Sequence, residues 1–189
     1  MDALVLALQN ALGNWYMVLV YGIGILAMCF SVSSVQFKKR VAILTCSCVG
    51  QICWIAYFLV QGDLTSAVAC VLTAIMLAVF TKKDKWKWAT STPIVIFFVV
   101  IMTGFSLLSF ATWKDIFPLV AGVFAVIANS RPTEKRLRQF ALGWYIFWVM
   151  NGIFKFYPVA LINDVMCTCS AVIALIRYRN KQEKQEINQ

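Results

Sequence analysis

Basic residues occupy alternate gaps between the apolar stretches of this chain. All but two of the 17 Lys and Arg residues fall in clusters that follow the first, third, fifth and seventh apolar stretches, at 38–40, 82–87, 131–138 and 177–184. Lys114 and Lys155 lie in the other gaps. Because cytoplasmic loops of membrane proteins retain positive charge, this alternation predicts a multi-pass protein with its N-terminus outside and its C-terminus inside.

The composition indicates lipid as the surrounding medium. Hydrophobic residues make up 61% of the chain, charged residues 13%, and the mean hydropathy is +0.78, which suits a helix bundle in a bilayer. The net charge of +9 is spread over several loops and the tail, so it indicates contact with anionic lipids and not with nucleic acid. The first 37 residues lack the basic start and cleavage site of a signal peptide, so we expect none to be removed.

Seven apolar stretches are predicted to be transmembrane helices, at 15–35, 41–61, 64–80, 93–111, 116–130, 139–154 and 158–177. A span needs about 17–25 residues, so the fifth and sixth must borrow flanking residues or be surrounded by protein. Residues 1–14 have an apolar face at helical spacing; they either lie on the outer surface as an amphipathic helix or extend the first span. Residues 178–189 form a polar cytoplasmic tail.

The spans divide into two groups of three around an isolated fourth. Residues 15–80 form the first three-helix repeat, 93–111 the linker helix and 116–177 the second repeat. A shift of 94 positions lays Trp148 on Trp54 and Asn151 on Tyr57. Both repeats start outside and end inside. The predicted fold is therefore an all-α integral membrane 3+1+3 arrangement, with parallel repeats related by an axis along the membrane normal.

Each repeat has one helix face that combines polar and aromatic side chains. The faces consist of Trp144, Trp148, Asn151 and Lys155 on the sixth span, and of Ser47, Gln51, Trp54, Phe58 and Gln61, bordered by Tyr57, on the second. Such faces either join helices through side-chain hydrogen bonds or line a solute site. In a solute site, indole rings stack on flat or sugar-like rings and amides bind polar edges. Both interpretations stay open at this point.

Asp164 is an acid within the seventh span. At about 1.5 Å per residue it lies ~20 Å from the inner end of that helix, inside the hydrocarbon core. A carboxylate at that depth must be paired, hydrated or protonated. Lys155, near the outer end of the preceding helix, is the predicted partner unless it extends to the headgroups. Three roles for Asp164 follow: a structural ion pair, a contact to a solute or cation, and proton coupling.

The residue pattern predicts no enzyme, cofactor or metal site. The chain has no His. Among its seven Cys residues, Cys46 and Cys48, like Cys167 and Cys169, stand two apart on helices, where side chains point about 200° away from each other and cannot share a metal or a disulfide. A phosphate-binding glycine loop and a Ser-His-Asp set are also missing from the sequence, so an intramembrane hydrolase is not expected.

Several segments resemble the YgjV-type bacterial inner-membrane proteins. They are SSVQFKKR at 33–40, WIAY at 54–57, WVMNG at 148–152 and the closing Ile176-Arg177. The resemblance runs from about residue 21 to residue 179 and implies a location in the bacterial inner membrane. That family is similar to the SWEET sugar transporters and the PnuC vitamin transporters, in which two three-helix bundles are joined by a fourth helix and the N-terminus is outside.

The resemblance implies a solute pathway between the two bundles that opens alternately to each side. In SWEET proteins a Trp and an Asn from each half line the pocket, and Trp54 and Trp148 are the candidates here by position. Two departures stand out: Ser33-Ser34-Val35-Gln36 replaces the proline-glutamine pair near the first inner loop, and the third span carries Cys70 where its counterpart has Asp164. They argue against the hinge of those families and against a simple sugar facilitator.

Two functions from different classes follow. The first is a transporter or facilitator of a small polar or ring-containing solute by alternating access. Its seven substrate-binding candidates are Gln51, Trp54, Tyr57, Trp144, Trp148, Asn151 and Asp164. The second is a membrane scaffold or regulator that binds another membrane protein through an exposed polar groove. A wet cavity of roughly 300 Å³ or more between the bundles favours the solute, and a dry, filled axis favours the scaffold.

Overall fold

The chain folds into α-helices. The computed structural model describes residues 2–37, 39–82, 86, 91–131 and 134–187, and the regular structure within them is helical. The helices are α1 (Asp2–Leu12), α2 (Trp15–Gln36), α3 (Arg40–Val60), α4 (Leu64–Thr81), α5 (Thr92–Leu108), α6 (Ile116–Ser130), α7 (Glu134–Lys155) and α8 (Pro158–Ile187), with a 3₁₀ turn at Trp113–Asp115 before α6. The predicted all-α class is confirmed.

Local caps explain several helix starts. The Asp63 carboxylate accepts a hydrogen bond from the backbone N–H of Ser66 at 3.1 Å and so satisfies a free donor at the start of α4. Thr112 and Asp115 form a capping box around the 3₁₀ turn before α6. α8 begins at Pro158, whose missing N–H costs nothing in a first turn.

Within the described ranges, five helical segments are long and apolar enough to cross a membrane, at Trp15–Ser34, Val41–Val60, Leu64–Thr81, Trp113–Ser130 and Pro158–Ile176. α5 is apolar but has 17 residues. α7 has 22 residues, but its first turns carry Glu134, Lys135, Arg136 and Arg138. The arrangement of seven spans therefore stays a prediction, as does the orientation of the termini.

Three boundaries differ from the sequence prediction. The chain turns at Gly13, where φ is +50°, so α1 is a separate helix and does not extend the first span. α7 begins at Glu134 and not at 139. α8 continues to Ile187, so much of the predicted polar tail is helical. Lys, Arg, Gln and Glu are good helix formers, and a helix bounded by hydropathy alone is cut short where such residues begin.

Six helices pack in a closed order. α2 packs on α3, α3 on α4, α4 on α6, α6 on α7, α7 on α8, and α8 on α2 again. α5 packs against α4 and α6. The two groups of three helices therefore meet along two seams, α2 with α8 and α4 with α6. At the first seam the side chain of Val159 packs directly on Gly24: a Cβ atom added to Gly24 would lie 2.8 Å from Cγ1 of Val159.

Helix ends recur at a spacing of 94 residues. The matching pairs are the ends of α2 and α6 at Gln36 and Ser130, the starts of α3 and α7 at Arg40 and Glu134, and the starts of α4 and α8 at Leu64 and Pro158. The turns after α3 and α7 share their hydrogen bonding. The N–H of Asp63 donates to the carbonyl of Phe58, and the N–H of Tyr157 to the carbonyl of Gly152, both at 3.0 Å.

The outward faces of the helices are apolar. Large hydrophobic side chains are at least half exposed on several of them, among them Val18, Ile25, Val100, Leu107 and Ile173. Exposed apolar surface of this extent marks contact with a partner or a membrane, and here it lies on candidate spans and on the shorter apolar helix α5. α1 differs, because Val5, Leu8 and Leu12 pack against the protein core.

Candidate functional site

A cavity of about 40 Å³ lies between the two groups of three helices. At about 10–15 Å³ for each water-sized group, it has room for about three such groups. α2, α3 and α4 supply residues on one side, and α7 and α8 on the other. The lining residues are Ser31, Ser34, Ser47, Gln51, Trp54, Phe58, Cys70, Trp144, Tyr145, Trp148, Ala160, Asn163, Asp164 and Cys167.

Five of the seven predicted substrate-binding residues line this cavity: Gln51, Trp54, Trp144, Trp148 and Asp164. Tyr57 and Asn151 are buried elsewhere, and the amide of Asn151 donates to Oγ of Ser66 at 3.4 Å. The sequence predicted both as substrate-binding residues, and neither lines this cavity. The ring of Tyr57 packs towards α2, where it lies 2.9 Å from a Cβ atom added to Gly24, and Asn151 binds Ser66 of α4.

Aromatic rings close one end of the cavity. Phe58 stacks between Trp54 and Trp148, with ring centroids 5.9 and 5.5 Å apart and interplanar angles of 29° and 20°. Tyr157 meets Phe58 edge-on at 5.6 Å. Each such pair contributes about 0.5–1.5 kcal/mol beyond its buried area. We call Trp54, Phe58, Trp148 and Tyr157 the aromatic layer. It lies towards the end of the bundle that carries Lys155, here named the Lys155 end.

Asp164 lines the cavity and is 7% exposed. Asn163 donates a hydrogen bond from Nδ2 to its Oδ1 at 2.9 Å. Within the described part of the chain, Oδ2 has no donor, and no Lys or Arg is among the lining residues. A buried carboxylate is costly without a partner, so the second oxygen is available to a group that enters the cavity.

Serines of α2 line the cavity on the side away from the aromatic layer. Nε1 of Trp54 donates to Oγ of Ser31 at 2.9 Å, which fixes the indole plane, and Oγ of Ser34 donates to the carbonyl of Ser31 at 2.6 Å. A smaller cavity of about 20 Å³ shares Ser34 and Tyr145 with the first and reaches Arg138. We name that end of the bundle the Arg138 end.

Lys155 pairs with two other acids and not with Asp164. Its Nζ lies 3.0 Å from Oδ2 of Asp63 and 2.7 Å from Oδ1 of Asp115, and the three side chains are only 5–12% exposed. The predicted ion pair with Asp164 is wrong, because the Lys155 ammonium group is bound by Asp63 and Asp115 instead. Lys155 is the last residue of α7, whereas Asp164 lies six residues into α8, about 9 Å deeper. We call Lys155, Asp63 and Asp115 the ion cluster.

Backbone and hydroxyl groups hold both acids of the ion cluster in place. Oδ2 of Asp115 accepts from the N–H groups of Ala111 and Thr112 at 2.9 and 2.7 Å. Oδ2 of Asp63 accepts from Oγ of Ser66 at 2.6 Å. Charge-assisted hydrogen bonds of this kind are stronger than hydrogen bonds between neutral groups. The ion cluster therefore ties the turn before α4, the connection before α6 and the end of α7 together.

An open cleft of about 500 Å³ covers the ion cluster at the Lys155 end. Its residues include Gln61, Lys114 and Tyr157, and none of them also lines the cavity. Burial, and after it the negative charge of Asp63, raise the pKa of the Tyr157 hydroxyl above its usual value. The hydroxyl is therefore protonated at neutral pH and can donate a hydrogen bond. The aromatic layer lies between this cleft and the cavity.

Sequence reasoning missed some residues of these sites. Asn163, which binds Asp164, and Asp63 and Asp115, which bind Lys155, were not predicted. A signal for the two acids existed, because both lie in predicted outer gaps: Asp115 follows Lys114 directly, and Asp63 lies in the turn after the second span. Among the described residues, no group of three or more His, Cys, Asp or Glu side chains is arranged to hold a metal ion.

The chain matches a family model, Imp-YgjV, described as a bacterial inner membrane protein, over residues 18–182. The match covers most of the chain and every residue that lines the cavity. None of the curated proteins and none of the solved structures matches the chain.

Proposed function

The chain belongs to the Imp-YgjV family of bacterial inner membrane proteins, and from this premise we propose that it moves a small polar or ring-containing solute across that membrane by alternating access. The family and the apolar helices establish a multi-pass inner-membrane protein. The observation that carries the proposal is the cavity between the two groups of helices, whose buried Asp164 has an oxygen without a donor in the described part of the chain.

The helix arrangement supports a carrier built from two parallel repeats. α2, α3 and α4 follow each other in the same packing order as α6, α7 and α8, and their ends are 94 residues apart. The cavity is lined by residues at equivalent positions, Trp54 with Trp148 and Cys70 with Asp164. Transporters built from repeats bind their solutes at the interface between the repeats. We therefore keep the 3+1+3 arrangement as part of the proposal.

Two layers close the Lys155 end in this conformation. The aromatic layer covers the cavity, and the ion cluster joins helix ends above it. At the Arg138 end, the smaller cavity continues from Ser34 and Tyr145. We propose that the solute exchanges through the Arg138 end while the Lys155 end stays closed, and that opening the Lys155 end separates Lys155 from Asp63.

The size of the cavity fits an occluded state better than an open one. Its volume of about 40 Å³ does not reach the roughly 300 Å³ expected above for a solute pocket, so the proposal requires that the cavity is larger in another conformation. A carrier that alternates between two open states passes through a closed one, in which water is largely expelled. A movement of α2 against α8 at the Gly24 seam would enlarge the cavity.

The proposed orientation places the Lys155 end outside and the Arg138 end in the cytoplasm. The basic clusters then lie in cytoplasmic loops, where they contact anionic lipids. The acids of the ion cluster fall on the outer side together with Lys114 and Lys155. This orientation agrees with the seven predicted spans and the predicted external N-terminus.

Thiol labelling tests the proposal, because Cys167 lines the cavity. A variant that keeps Cys167 as its single cysteine is exposed, in membrane vesicles of both orientations, to a charged methanethiosulfonate reagent that does not cross lipid. We expect Cys167 to react from both faces. The matched control keeps Cys169, which is exposed on the outer surface of α8 and is expected to face lipid, where a charged reagent does not reach. If Cys167 reacts from neither face, the transport proposal is contradicted.

The open cleft at the Lys155 end supports a second candidate, a scaffold that binds another membrane protein. Its polar residues and its size suit a protein side chain or loop. Under this function, Cys167 would not react from either face, and Lys114→Glu would abolish cross-linking of the chain to its partner in native membranes. Under the transport proposal, Lys114→Glu leaves the labelling of Cys167 unchanged.

A further inference from the structure

The cavity has the charge of a cation site. Asp164 supplies a carboxylate with one oxygen free of donors among the described residues. Neither Lys nor Arg is among the residues that line this cavity in the described part of the chain. An anionic solute would meet a buried carboxylate without a compensating cation, and a neutral one would leave Asp164 to be protonated or hydrated. A cation would pair with the Asp164 carboxylate and so offset part of the free energy that the carboxylate loses when it is removed from water.

The remaining walls suit an organic cation better than a metal ion. Trp54, Trp144 and Trp148 present indole rings, and Phe58 and Tyr145 add two further aromatic side chains. Aromatic faces attract ammonium groups, most strongly when water is excluded. Sodium and other hard cations prefer a shell of oxygen ligands. Ser31, Ser34 and Ser47 bring hydroxyl oxygens to the cavity, so sodium is the competing cation that the experiment must exclude.

The volume limits the size of the ligand. About 40 Å³ accommodates about three water-sized groups, which excludes a hexose or a nucleoside in this conformation. A primary ammonium ion with one or two carbon atoms fits that limit. Its N–H groups can donate to Asp164 and to the Gln51 side-chain oxygen, while its carbon atoms contact indole rings.

We infer that the cavity binds a small organic ammonium ion, held by the Asp164 carboxylate against the aromatic side chains that line the cavity. This inference rests on the proposed function, because the cation is the solute that the carrier moves. It narrows the solute class from polar or ring-containing molecules to small amines in their protonated form. Asn163 then acts as a positioning residue, since its amide holds one oxygen of Asp164.

Equilibrium binding to the purified protein tests the inference. Methylammonium chloride is the probe, methanol is its neutral counterpart of similar shape, and sodium chloride controls for ionic strength and for a hard cation. The readout is tryptophan fluorescence, because three of the seven Trp residues line the cavity. We expect a saturable change with methylammonium, a midpoint about ten-fold or more higher for sodium, and no saturable change with methanol.

Three carboxylate variants locate the binding. Asp164→Asn should abolish the methylammonium response, and Asp164→Glu, which retains the charge, should preserve it. Asp63→Asn makes the same chemical change in the ion cluster, outside the cavity, and should leave the response in place. An unchanged response in a folded Asp164→Asn protein, or equal responses to methylammonium and methanol, would overturn the inference. An equal response to sodium would also overturn it, because the site would then take an inorganic cation.

The comparison of probes on the unmodified protein decides the question even if Asp164→Asn does not fold. The outcome is also separable from that of the proposed function. If methylammonium binds but Cys167 is labelled from neither face, the cation site is supported and the transport proposal is contradicted. If Cys167 is labelled from both faces but methylammonium does not bind, the transport proposal is supported and the cation site is contradicted.

Discussion

Lys155, at the end of α7, donates to both carboxylate oxygens of Asp63, at 3.1 and 3.0 Å, across the interface between the two groups of three helices. The same ammonium group binds Asp115 at 2.7 Å. One cation is thus shared by two acids, and all three side chains are largely buried. Because these residues come from different groups of helices, any opening at the Lys155 end requires Lys155 to separate from Asp63.

Lys155→Met should destabilise the protein strongly. The change leaves the carboxylates of Asp63 and Asp115 buried without their cation, which costs about 3–5 kcal/mol of the free energy of unfolding in comparable pairs. Adding Asp63→Asn and Asp115→Asn should restore part of the loss, since no charge is then stranded. Thermal unfolding in detergent measures both effects. The control is Lys114→Met, the same change in the same cleft, which should be nearly neutral. A Lys155→Met protein as stable as the parent would show that the ion cluster is not formed.

Phe58→Ala should open the aromatic layer. The substitution removes the middle ring between Trp54 and Trp148 and leaves a gap above the cavity. We expect Cys167 to react faster with an impermeant thiol reagent added at the Lys155 end, and at an unchanged rate from the other end. Phe97→Ala, on the exposed face of α5, is the matched control. Equal rates in both variants would mean that the layer does not limit access.

Gly24→Ala should disturb the seam between α2 and α8. Its Cβ would lie 2.8 Å from Val159 and 2.9 Å from the ring of Tyr57, distances that force a shift, and overpacking of this kind typically costs about 1–3 kcal/mol. Val159→Ala in the same chain should recover part of that loss. Gly22→Ala, two residues away with open space around it, should be neutral or slightly stabilising. Thermal unfolding of the four proteins gives the comparison, and equal effects of the two glycine substitutions would argue against the close approach.

Phe156→Gly should stabilise the turn between α7 and α8. Phe156 has a φ of +58°, where the equivalent turn between α3 and α4 has Gly62 at +78°. A side chain in this left-handed region costs about 1–2 kcal/mol, and Phe156 is 85% exposed, so little protein packing is lost with its ring. The reciprocal change, Gly62→Ala, should destabilise by a similar amount. Denaturation midpoints of the two variants should therefore move in opposite directions.

A topology experiment tests the orientation. In a background without native cysteines, Lys114→Cys should react with an impermeant thiol reagent in intact cells. Lys87→Cys, at a position outside the described residues, should react only after permeabilisation, because it belongs to a predicted cytoplasmic cluster. Reaction of Lys87→Cys in intact cells would reverse the assignment of the two ends.

The agreement between sequence and structure was best where one helix face carried the signal. Trp54 and Gln51 on α3, like Trp144 and Trp148 on α7, share a face by spacing alone, and all four line the cavity. Tyr57 and Asn151 do not line it, because the ring of Tyr57 packs towards α2 and the amide of Asn151 binds Ser66 of α4. Spacing along a single helix therefore identified the face but not its edges.

The sequence by itself determined the helical class, the apolar surroundings and the faces that meet in the middle, because hydropathy, charge and helical periodicity are properties of consecutive residues. The multi-pass character was readable for the same reason. Only the tertiary structure decided that Lys155 binds Asp63 and Asp115 instead of Asp164. Ion pairing depends on which helix ends are neighbours and on their depth, and these are set by the packing of helices distant in the chain. The tertiary structure also decided the volume of the cavity, because that volume is the space that side chains from five helices leave unfilled.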